Sequence, residues 1–110
     1  WARSYRRRKE ALMFLAKVIG TVVSTQKNPR FQGMKLLLIQ PYITRDGELV
    51  QSGSSVVAVD SVGAGINELV MFTQGSSARL TDITRDSPTD TVIVGIVDTV
   101  EIGGKRLAKP

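Results

Sequence analysis

From residue 17 onward the chain alternates short apolar runs with glycine- or proline-marked polar breaks, and most of the runs are too short for helices. Residues 17–25 (KVIGTVVST) are rich in β-branched side chains and predict a strand, with Gly20 marking a bulge or a close backbone approach. Residues 26–33 form a polar loop in which Asn28-Pro29 favours a turn. The continuous apolar run at 35–40 (KLLLIQ) fits helix or strand by length. Its flanking Gly33 and Pro41 favour a strand that is buried on both faces and stops at the proline. Residues 42–45 and 48–51 flank Asp46-Gly47, a two-residue hairpin signal, because both central positions of the turn need positive φ.

The second half repeats the style. Residues 56–59 (VVAV) predict a strand, Gly63-Ala64-Gly65 a tight turn, and residues 68–73 another strand that ends before Gly75-Ser76-Ser77. Residues 76–80 predict a single helical turn with Ser76 or Ser77 capping its backbone N–H groups. A charged loop over 81–89 closes at Pro88. Residues 91–102 (TVIVGIVDTVEI) are the most β-prone stretch, and Gly103-Gly104 predicts a final hairpin before residues 105–110 trail off. Many short strands joined by glycine turns, with little helix, predict an all-β fold, a small barrel or sandwich.

Charge changes this picture only at the N-terminus. The chain of 110 residues carries 15 basic and 10 acidic side chains. Residues 1–12 hold Arg3, Arg6, Arg7, Arg8 and Lys9 against Glu10 alone, so beyond them ten basic side chains face nine acidic ones. The net charge of +5 therefore belongs mostly to a basic leader, and the body is close to neutral. Such a body does not read as a nucleic-acid binder. The apolar stretch at 11–16 is too short to span a bilayer, and no small-x-small cleavage site follows it. The expected division is a leader over 1–12, outside the fold, and a single domain over 13–110, with Met13 as the natural start. At this size only about 60–70% of the unfolded surface is buried on folding, so association adds much to stability.

Chemistry is sparse. With no cysteine and no histidine, disulfides, thiolate nucleophiles and cysteine- or histidine-based zinc sites are excluded. Gly63-x-Gly65 has part of a dinucleotide-binding turn, but Glu68 stands where the third glycine belongs and no helix-forming stretch follows. Residues 24–27 match S-x-x-K without the partner motifs of that chemistry. Asp60, Glu68, Asp82, Asp86, Asp90 and Asp98 are scattered singly and build no hard-metal cluster. Asp60 reads as the end of a strand, its carboxylate capping the next turn, and Asn67 as a residue suited to the left-handed conformation. Arg79 follows a glycine-anchored turn. It reads either as a planar fork bridging to another subunit or as a solvent-exposed arginine. No catalytic, cofactor or metal site is expected.

Several blocks in order resemble the EutN/CcmL family, the pentameric vertex proteins of bacterial microcompartment shells. They are Lys17-Val18-x-Gly20-x-Val22-Val23-Ser24-Thr25, Gly33-x-Lys35-Leu36-Leu37-Leu38, Asp60-x-Val62-Gly63-Ala64-Gly65, Glu68-x-Val70, Gly75-Ser76-Ser77-Ala78-Arg79, Pro88-x-Asp90 and Val94-Gly95-Ile96-Val97-Asp98. Thr89 replaces an apolar residue of the pattern, and Asn67 takes a place often held by Gly or Asp. The resemblance implies a five-stranded OB-like β-barrel, with one or two short helical turns, assembling as a cyclic pentamer. It further implies a cytoplasmic, structural protein whose partners are its own copies and hexameric shell proteins, with no nucleic acid, membrane or cofactor. Gly63, Ala64 and Gly65 are the expected close approach to the fivefold axis or a neighbouring subunit, with Ser76, Ser77 and Arg79 as further interface residues. The rival readings are an OB-fold nucleic-acid-binding module, which needs exposed aromatics in a basic groove, and a small enzyme.

Overall fold

The structure, a computed structural model, describes residues 13–23, 33–74 and 91–110. Its first strand, β1 (Met13–Thr21), alternates as a half-buried strand should, with Ala16 and Val18 fully buried and Met13 and Ile19 exposed. It starts earlier than the β-branched run implied, because Met13-Phe14-Leu15-Ala16 pairs with a later strand. It also ends before residue 25. The register against β2 shifts between Val18 and Gly20, so the glycine does mark a bulge.

The next strand, β2 (Lys35–Arg45), runs straight through Pro41 and corrects the expected stop there. Pro41 lies opposite Ala16 in β1, and its carbonyl accepts the Ser52 N–H at 3.0 Å. Ser52 follows β3 (Glu48–Gln51), so the donor that proline lacks falls at the end of the β2–β3 ladder, where it disrupts little. Leu37 and Ile39 are buried while Leu36 and Leu38 are half-buried, so β2 turns only one face to the core. Asp46 (φ 53°) and Gly47 (φ 77°) make the anticipated hairpin between β2 and β3.

Closure of the barrel follows from the remaining strands, β4 (Val56–Asp60), β5 (Leu69–Thr73) and β6 (Val92–Ile96). Pairing runs β1–β2–β4–β6–β5 and back to β1, antiparallel except between β4 and β6. This is a closed, five-stranded OB-type barrel with β3 as an added ribbon, and closure removes most sheet edges. Ala16, Val18, Leu37, Ile39, Ala58, Val70, Phe72 and Ile93 fill it. The most β-prone stretch does not form one strand. The Val97 N–H bonds to the Leu69 carbonyl at 2.8 Å, and the chain then leaves the barrel. It ends in a separate two-stranded sheet, β7 (Glu101–Ile102) and β8 (Lys105–Arg106), turned by Gly103-Gly104 as expected. The residues after it do not simply trail off, since Leu107 is buried and donates to the Val100 carbonyl at 2.8 Å. No helix occurs among the described residues. The turn expected at 76–80 lies outside them.

Candidate assembly surface

The turn between β4 and β5 is built around one carboxylate. Asp60 ends β4, and its side chain is fully buried. Oδ1 accepts the N–H groups of Val62 (3.0 Å) and Gly63 (3.1 Å), and Oδ2 accepts that of Ala64 (2.8 Å). Lys35, its register partner on β2, places Nζ 3.6 Å from Oδ2 and donates to the Ala64 carbonyl at 2.9 Å. Glu68 closes the far side, accepting the Gly65 N–H at 2.6 Å and donating its own N–H to the Gly65 carbonyl at 3.2 Å. Asn67 adopts φ 72° as anticipated. The turn is then stapled to β1, with the Asn67 N–H on the Val18 carbonyl and the Val18 N–H on the Glu68 carbonyl.

This frame separates the three residues the sequence grouped together. Gly63 stands at the surface with φ 81°, a conformation costly for any residue with a Cβ. Gly65 is exposed as well. Ala64 points the other way: its methyl group is fully buried and belongs to the barrel's own core. What the turn leaves at the surface therefore includes Val62 (39% exposed), Gly63, Gly65 and Ile66 (50%). Ser76, Ser77 and Arg79 lie outside the described residues.

A second surface went unread in the sequence. The described pairing of β1 with β2 starts at Leu15–Tyr42, while Met13 and Phe14 pair only with β5, and Ile43 to Arg45 only with β3. The two strands fork, and an open, largely apolar groove of about 340 Å³ lies in the fork. Phe14, Leu15, Tyr42, Ile43 and Met71 are among its walls. Phe14 tilts against Phe72 with ring centroids 5.5 Å apart, which anchors one wall to the core. Among the described residues no group of three His, Cys, Asp or Glu side chains is placed to hold a metal, and no helix is long and apolar enough to cross a membrane.

The model of a family described as ethanolamine utilisation protein EutN/carboxysome matches residues 13–98. The chain belongs to the EutN/CcmL family. It is 52% identical over 90 residues to the bacterial microcompartment shell vertex protein PduN of Salmonella typhimurium, covering 80% of this chain and 98% of that one. It is 46% identical over 95 residues to the carboxysome shell vertex protein CcmL of Synechocystis, covering 86% and 92%. Among solved structures it resembles the pentameric microcompartment shell protein GrpN from Rhodospirillum rubrum, with a TM-score of 0.68 and 49% identity over 81% of this chain and 98% of that one. A carboxysome CcmL subunit superposes with a TM-score of 0.75 at 45% identity, covering 84% and 94%. The blocks at 60–65 and 68–70 that carried the resemblance to EutN/CcmL proteins are the residues that build the clamped turn.

Proposed function

We propose that this chain forms homopentamers that cap the vertices of a polyhedral bacterial microcompartment shell in the cytoplasm. The observation that carries the reading is its 49% identity, across nearly the whole of that chain, to a solved shell protein that is itself pentameric. A ring of five closes through a head-to-tail contact and needs two different surfaces on each subunit. The clamped turn is tied to β1 at Val18 and the fork groove is lined by Phe14 near the start of that strand, so the two features lie at separate points along β1. On this reading the role is structural. Hexameric shell proteins are the neighbours of each pentamer, and no cofactor takes part.

The OB-fold nucleic-acid alternative asks for aromatic platforms open to bases. Phe72 is buried, and Phe14, though 43% exposed, shares with Tyr42 the wall of a largely apolar groove whose lining holds no basic side chain. That disposition favours a protein contact. Co-expression with a hexameric shell protein, followed by electron microscopy, tests the vertex role. Closed polyhedra are expected with the chain present, and open or elongated assemblies without it.

A further inference from the structure

The hairpin β7–β8 stands apart from the barrel. Among the described residues it pairs only with itself, and each residue from Glu101 to Arg106 is exposed, Ile102 by 47%. An isolated two-stranded ribbon is marginal in water, and both of its edges remain open. It also lies beyond residues 13–98, the stretch matched by the family model, so the family pattern gives it no role. Leu107 secures its base, which leaves the tip projecting from a fixed root.

The fork groove has the complementary properties. It is concave and largely apolar, and the facing edges of β1 and β2 are left unpaired there among the described residues. Arg45 and Glu48 face each other beside it on the β2–β3 ribbon, as Glu101 and Arg106 do across the β7–β8 hairpin. An arm and a groove on one chain are the two unlike surfaces that a head-to-tail ring requires.

We infer that the β7–β8 hairpin is an arm that docks on the next copy of this chain in the ring, with Ile102 seated in that copy's fork groove. The inference rests on the pentamer reading. Apolar contact at Ile102 supplies affinity, an open edge of the hairpin extends the neighbour's sheet, and the two opposite-charge pairs set the register.

The chain contains no cysteine, so paired cysteines report one contact alone. Ile102→Cys and Ile43→Cys, combined in the full chain, are treated with a short bis-maleimide, which relaxes the strict geometry of a disulfide. The expected result is a denaturing-gel ladder of linked chains ending at five, absent from either single variant. Separately, Ile102→Asp raises the concentration needed for half-assembly by about tenfold or more. A cross-link confined within one chain, or no cross-link in a preparation that native mass spectrometry shows to be pentameric, overturns the arm and leaves the ring standing. A wild-type chain that is not pentameric overturns both.

Discussion

Lys35 and Asp60 are register partners on β2 and β4, and together they hold one turn from two sides. The ammonium lies 3.6 Å from the carboxylate and also donates to the Ala64 carbonyl, while the carboxylate accepts the N–H groups of Val62, Gly63 and Ala64. The turn is thus positioned by the pairing of two barrel strands. The contributions are unequal, because the Asp60 side chain is fully buried whereas that of Lys35 is about half exposed.

Removing the carboxylate is accordingly the more damaging change. Asp60→Ala strands backbone donors beside the core and is expected to destabilise the fold by about 2–3 kcal/mol. Lys35→Met, which loses a half-exposed partner, is expected to cost below about 1 kcal/mol. Denaturant titrations at one fixed protein concentration check the order, since assembly itself shifts apparent stability.

Ala64 and Gly65 separate folding from assembly. The Ala64 methyl group is in the core, so Ala64→Trp overpacks the barrel itself and is expected to give an unstable or insoluble chain. At Gly65 an added Cβ meets only the Glu68 side chain at ordinary contact distance, and no positive φ stands in the way. Gly65→Trp is therefore expected to keep the β-type circular dichroism of the wild type while losing pentamers. Unchanged pentamers would place this turn away from any close subunit contact.

The features legible from sequence are those fixed by neighbours along the chain. Asp46-Gly47 and Gly103-Gly104 made their hairpins, Asp60 capped its turn, and Asn67 took the left-handed conformation. What escaped depends on residues far apart. Pro41 is accommodated because its missing donor falls at the end of the β2–β3 ladder. The stretch 91–102 leaves the barrel after Val97, which bonds to Leu69 where its partner strand β5 begins. Ala64 was grouped with its glycines by adjacency, yet the Asp60 clamp turns its side chain inward. The fork groove arises only where β1 and β2 diverge, and no local pattern marks that point.

The basic leader is expected to be dispensable. The family model begins at residue 13, after the segment that carries most of the net charge. Deleting residues 1–12 should leave the oligomer intact and weaken nonspecific, salt-sensitive binding to DNA. A deletion that abolishes pentamers would assign those residues to the interface.

Native mass spectrometry of the purified chain at micromolar concentration tests the central claim most directly. The account predicts a dominant species of five chains with no additional bound mass. A stable monomer, or a ring of any other order, would contradict it.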